Sequence, residues 1–190
     1  MLNNFRDSLQ PYLEKIARGF SSTGISPNGW SAIGLGFAIT SALIYGSNME
    51  FALVVGGIIL LIAGFFDIVD GQVARVSQKV TKSGGFLDSV FDKIAEVAIF
   101  LGILFGGFAE PYLVFLAITF SLLVSYTRAR AESLGVKLQG IGIGERAERL
   151  LVIAIIGIIG FMEYAVIIVI IIAGITLIQR IVITTKALKK

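Results

Sequence analysis

No cysteine and no histidine occur among the 190 residues of this chain. The first absence removes disulfides, thiolate nucleophiles and zinc–thiolate sites. The second removes the commonest general base at neutral pH and the commonest transition-metal ligand. Any catalysis must therefore run on carboxylates, amines, guanidinium groups, hydroxyls and metal. The opening stretch MLNNFRDSLQPYLEKIARGF lacks a continuous apolar core, so a cleaved signal peptide is not expected and the amino terminus is expected to be retained.

Apolar residues, by contrast, are abundant. They make up 56% of the chain, above the roughly 45–50% usual for soluble domains, and mean hydropathy is strongly positive. The expectation is an all-α integral membrane protein forming one domain over residues 1–190. Apolar runs with short polar breaks predict six membrane helices over residues 29–47, 51–75, 84–106, 111–133, 146–162 and 164–186. Each is near the ~20 residues needed to cross the hydrocarbon core. Ahead of this six-helix core (29–186), residues 1–22 place Leu2, Phe5, Leu9, Leu13, Ile16 and Phe20 at helical spacings. Arg6, Asp7, Glu14, Lys15 and Arg18 fall between them, the pattern of an amphipathic helix lying on the membrane surface.

Lysine and arginine are missing from three connections: 46–50, 106–111 and 161–164, whose only charges are Glu50, Glu110 and Glu163. Every basic residue sits in the other connections, the termini or the adjoining span ends. Because basic residues are retained on the cytoplasmic side, both termini and the two long connections are expected to face the cytoplasm. The net charge of +3 is then topological and implies no nucleic-acid partner. Lys186, Lys189 and Lys190 read as an orientation anchor touching anionic lipid. Glycine pairs such as Gly56–Gly57 and Gly102 with Gly106 read as close helix packing.

The informative stretch is FFDIVDGQVARVSQKVTKSGGFLDSVFDKIAE, residues 65–96. On a helix, Asp67, Asp70, Gly71 and Ala74 form one face at i, i+3, i+4 and i+7, and Gly84, Asp88 and Asp92 form another at every fourth position. A short connection makes the two helices antiparallel neighbours, so the faces are expected to meet. Each charge near the centre of a membrane helix costs about 2.5–3.5 kcal/mol, so four aspartates in this window need a reason. A salt-bridged seam neutralised by Arg75 and Lys93 leaves two anions over. Divalent cations remove that deficit, since carboxylates without histidine or cysteine suit Mg²⁺, Mn²⁺ or Ca²⁺. Two ions about 3.5–4 Å apart would clamp a transferring phosphoryl group. Gly71 and Ala74 let a ligand lie flat on the helix, and Arg75 offers a fork to phosphate.

Written as D-x-x-D-G-x-x-A-R-x8-G-x-x-x-D-x-x-x-D, the stretch resembles the signature of the CDP-alcohol phosphotransferases, with Asp67, Asp70, Gly71, Ala74, Arg75, Gly84, Asp88 and Asp92 all in place. The resemblance implies a six-helix membrane enzyme, a homodimer, with a cytoplasmic site in which an alcohol attacks the β-phosphate of a CDP-linked lipid and expels CMP. It implies that Asp67, Asp70 and Asp88 are ligands of Mg²⁺ or Mn²⁺, and that Asp92 is both ligand and general base. Gly71, Ala74, Arg75 and Thr81, with Asp67, would contact the cytidine diphosphate. Residues 26–31 (SPNGWS) resemble the family's P-N-x-x-T motif and would add Asn28 and Ser31, serine replacing the usual threonine. Helix capping is the alternative use of Asn28 and Ser31.

The acceptor alcohol is a separate question. Residues 125–151 carry Arg128, Arg130, Lys137, Arg146 and Arg149, more cations than orientation needs, which suggests an anionic acceptor. The segments SYTRARAE and GERAERL are similar to those of phosphatidylinositol-phosphate synthases and their archaeal relatives, which use inositol 1-phosphate. Arg128 stands where that subfamily commonly has lysine, and Ala147 where it commonly has proline. The resemblance implies that Ser125, Arg128, Arg149 and Arg180 line the acceptor pocket. Glycerol 3-phosphate or serine is the alternative acceptor. A divalent-cation transporter is the alternative outside enzymes, but it should carry acidic residues through the bilayer rather than at one edge.

Overall fold

The structure is a computed structural model that describes residues 2–138 and 140–189, with side chains from Gln10 onward. The side chains of Leu2, Phe5, Arg6, Asp7 and Leu9, and all of Lys190, lie outside the described residues. Seven helices and no strand occur among the described residues: α1 (Leu2–Ser21), α2 (Pro27–Tyr45), α3 (Ala52–Val76), α4 (Lys82–Phe105), α5 (Pro111–Ser133), α6 (Arg146–Ile158) and α7 (Met162–Leu188).

Local chemistry sets the boundaries near the site. Ser26 caps α2, its hydroxyl accepting from the Gly29 amide at 3.1 Å, and Pro27 follows in the first turn, where its missing N–H is no loss. The cap is thus neither Asn28 nor Ser31, although Ser31 donates back to the Pro27 carbonyl at 3.3 Å. Thr81 caps α4 in the same way, accepting from Gly84 at 3.0 Å.

Three helices, α3, α5 and α7, are long and apolar enough to cross a membrane. The fifth predicted span (146–162) is corrected: α6 stops at Ile158, because Gly160 takes a left-handed φ of +89° and the Phe161 amide folds back to the Ile156 carbonyl. Thirteen residues reach only about 20 Å. The outer surface is apolar, with Leu43, Phe115, Ile155 and Ile178 exposed, while Tyr45, Ile99, Phe100, Ile103, Ile153 and Val169 form the buried centre. An apolar exterior suits lipid surroundings.

The aspartate faces of α3 and α4 meet as expected, with Asp67 within 4.8 Å of Asp88 and Asp92, although the two helices are not among the extensively packed pairs. The extensive pairings are α2 with α3 and α4, α3 with α6, α5 with α7, α6 with α7, α1 with α3 and α4 with α5. Small residues allow the close approach of α2 and α4: Gly102 lies against the backbone of Ala42, where no Cβ would fit. α2 braces both, and α3 and α4 leave a narrow gap lined by their aspartates. The start of α6 reaches into the gap.

Candidate active site

The gap concentrates charge. Carboxylate oxygens of Asp67 on α3 and of Asp88 and Asp92 on α4 lie within 4.8 Å of one another. Asp70, one turn beyond Asp67, is 4% exposed, and its Oδ2 is buried without a hydrogen-bond partner. An unpartnered buried carboxylate oxygen is costly unless a cation completes it. The all-oxygen donor set fits Mg²⁺ or Mn²⁺, and oxygens within 4.8 Å of one another need only a small adjustment to meet on such an ion.

A guanidinium already reaches this position. Arg146, the first residue of α6, donates from Nη1 to Asp67 Oδ1 at 2.8 Å and forms an ion pair with Asp92 Oδ1 at 2.7 Å. Its Nε is buried and unpartnered. Neither Arg75 nor Lys93, the two cations considered from sequence, makes a salt bridge to these aspartates. Lys93 bonds Glu96 at 3.1 Å and Ser125 at 2.8 Å.

Two cavities flank the aspartates, and Asp88 borders both. One, about 210 Å³, is lined by Asn28, Ser31, Asp70, Gly71, Ala74, Arg75, Thr81 and Gly84. Nothing but the end of Arg75 approaches the open face of Gly71. Gly84 is different: a Cβ there would stand 2.9 Å from Thr81 Oγ1 and 3.1 Å from Asn28 Oδ1, so only glycine lets those two polar groups converge. Of the predicted cytidine-diphosphate contacts, only Asp67 lies off this cavity, in the narrow space between Asp70, Asp88 and Asp92.

The second cavity, about 640 Å³, is bordered by Asp92, Lys93, Ser125, Arg128, Arg146, Arg149 and Arg180. It gathers all four predicted acceptor residues. Arg128 is paired with Glu132 at 2.9 Å. Arg149, 1% exposed, donates from Nε and Nη2 to Glu96 Oε1 at 2.8 and 2.6 Å and from Nη1 to the Gly144 carbonyl at 2.6 Å. Arg180, 2% exposed, donates to the Ile141 and Val124 carbonyls at 3.0 and 2.8 Å. It thereby ties the glycine-rich connection to the bundle, helped by Thr176, whose hydroxyl accepts from the Ile143 and Gly144 amides.

Glu96, Lys93 and Arg146 had not been singled out as site residues. Glu96 had a signal: it continues the series Gly84, Asp88, Asp92 at the same four-residue spacing.

A sequence model of the CDP-alcohol phosphatidyltransferases matches residues 26–184. The archaetidylinositol phosphate synthase of Pyrococcus horikoshii is 39% identical, the alignment covering 100% of this chain and 99% of the relative. That of Methanothermobacter thermautotrophicus is 38% identical over 80% of this chain and 75% of the relative. Among solved structures, the Mycobacterium tuberculosis phosphatidylinositol phosphate synthase PgsA1 in complex with manganese and citrate superposes with a TM-score of 0.79 at 25% identity, covering 90% of this chain and 88% of that one. The same enzyme with CDP-DAG bound also gives 0.79, at 24% identity over 90% and 92% of the two chains, a likeness of fold. A transporter role is thereby set aside, and the aspartate signature, the helical frame and these matches agree: the chain belongs to the CDP-alcohol phosphatidyltransferase family.

Proposed function

We propose that the chain transfers the diradylglycerol phosphate group of a CDP-linked lipid to a hydroxyl of inositol 1-phosphate, releasing CMP and giving a phosphatidyl- or archaetidylinositol phosphate. The observation carrying this reading is the position of the aspartates between a glycine-floored cavity and an arginine-bordered one. The names of the Pyrococcus and Methanothermobacter relatives point to the same acceptor.

In this reading the cytidine diphosphate lies over Gly71 and Ala74, held by Asn28, Ser31, Asp67, Arg75 and Thr81. Asp67, Asp70, Asp88 and Asp92 hold Mg²⁺ or Mn²⁺, two ions when full. Bound metal supplies charge neutralisation at the diphosphate and at departing CMP. Asp92 borders the arginine-lined cavity and not the glycine-floored one, so it faces the acceptor. It takes the hydroxyl proton as the acceptor oxygen bonds to the β-phosphorus and the bond from that phosphorus to CMP breaks. Ser125, Arg128, Arg149 and Arg180 orient the acceptor, guanidinium forks matching its phosphate.

The chain works in this reading as one domain of residues 1–190, multi-pass in the cell membrane and homodimeric. Six helices, α2 to α7, cross or enter the bilayer, α1 lies at the surface, and both termini and the site face the cytoplasm. Two membrane-facing facts support this: the basic residues fall at one end of the helices, and the outer surface is apolar.

CMP release measured with inositol 1-phosphate, glycerol 3-phosphate and serine tests the acceptor. Turnover is expected with inositol 1-phosphate, and none with it would sink the assignment. Glycerol 3-phosphate is the second reading, because the same arginines suit any phosphomonoester. For the donor half, Gly84→Ala is expected to raise KM for the CDP-lipid about tenfold, the scale of one lost hydrogen bond of ~1.5 kcal/mol. Its kcat should change much less. An unaltered KM would show that the convergence of Thr81 and Asn28 is unrelated to donor binding.

A further inference from the structure

We propose that Arg146 is a built-in competitor of the divalent cation: its guanidinium holds the aspartate site while metal is absent and must leave when metal binds. The proposal rests on reading the aspartates as the metal site.

Three observations carry it. The first is shared ligands: Nη1 lies 2.8 Å from Asp67 Oδ1 and 2.7 Å from Asp92 Oδ1, charge-assisted distances. Those two carboxylates and Asp88 bring oxygens within 4.8 Å of one another. An ion held by the same carboxylates at 2.0–2.2 Å would stand within a few ångströms of the guanidinium and repel it. In this proposal the two cations compete for the same carboxylates.

The second is a built exit. Arg146 borders both the narrow space among the aspartates and the 640 Å³ cavity beside it. In this proposal, rotation of the Arg146 side chain carries the guanidinium from one space to the other. Its Nε is buried and unpartnered in the present position, so leaving sacrifices no bond at that atom. In the wide cavity the displaced group joins Arg128 and Arg149.

The third is that no other cation fills the role. Lys93 is turned to Glu96 and Ser125, and Arg149 to Glu96 and the Gly144 carbonyl. Without Arg146, Asp67 and Asp92 would face each other uncompensated whenever metal is missing. The arginine thus keeps the metal-free bundle folded and raises the metal concentration at which it loads.

Mn²⁺ binding to the detergent-purified full chain, followed through the electron paramagnetic resonance of the free ion, tests this without turnover. Arg146→Gln is expected to bind Mn²⁺ more tightly than wild type, on the scale of the about 10–100-fold that neighbouring groups exert on metal affinity. Its metal-free melting temperature should fall, with the gap closing at saturating Mn²⁺. Arg146→Lys keeps the charge but not the planar fork and is expected in between. A variant that folds only with metal is purified in Mn²⁺ and measured by chelator competition. Mn²⁺ affinity at or below that of wild type, in whichever of the two variants folds, overturns the proposal. Asp88→Asn keeps the failures apart: undiminished Mn²⁺ binding in that variant would discard the metal-site reading itself, whatever Arg146 does.

Discussion

Replacing Asp92 with asparagine is expected to abolish CMP release while leaving the protein folded. Asparagine keeps the size of the side chain and can still hydrogen-bond, and Arg146 retains its 2.8 Å bond to Asp67, so the helix gap stays filled. What is lost is the ability to receive a proton. General-base removal costs on the order of 10²–10⁴-fold in rate. Measured at saturating Mn²⁺, the loss should persist, which separates the proton-accepting role from weakened metal binding. Recovery of the wild-type rate at high Mn²⁺ would leave Asp92 as a ligand and nothing more. Asp92 is the aspartate to test because it alone of the four combines contact with Arg146 and a place on the arginine-bordered cavity.

The largest loss of stability is expected at the Glu96–Arg149 pair. Both side chains are 1% exposed and joined by hydrogen bonds at 2.6–2.8 Å. Removing one partner strands a charge, at about 3–5 kcal/mol. Glu96→Ala should therefore lower the melting temperature strongly, and Arg149→Ala comparably. The double replacement Glu96→Leu with Arg149→Met should recover part of it, since an apolar pair of similar volume avoids the desolvation cost while Lys93 keeps only its bond to Ser125. If the pair also serves the acceptor, the recovered double variant should stay inactive toward inositol 1-phosphate. A double variant that regains turnover would reduce the pair to scaffolding.

Sequence made the chemistry of the centre legible and left its arrangement hidden. Asp67, Asp70, Asp88 and Asp92 could be grouped because helical spacing puts them on two faces, and the structure brings three of them together as expected. How the faces meet was not visible. The five-residue connection between α3 and α4 brings the faces together, while α2 braces both helices and Arg146 enters between the aspartates, which spacing does not show. Tertiary packing decided what local spacing could not. Arg146 and Arg149 looked like equivalent members of one basic face, three residues apart. They diverge because α6 starts at the gap: one reaches the aspartates and the other turns to Glu96, a contact separated by 53 residues in sequence. The end of α6 was misplaced for a simpler reason. Apolar content continued through Ile159 and Phe161, and only the left-handed backbone of Gly160 ended the helix.

The single tryptophan also acquires a use from its surroundings. Trp30 is 8% exposed, stacked on Phe66 of α3 at 5.7 Å and met edge-on by Phe20 of α1 at 4.7 Å. It directly precedes Ser31, which lines the glycine-floored cavity. Its emission is therefore an intrinsic optical gauge of how α1 seats against α2 and α3, sensitive to the donor side of the molecule and separated from the arginine-bordered side by the aspartates themselves.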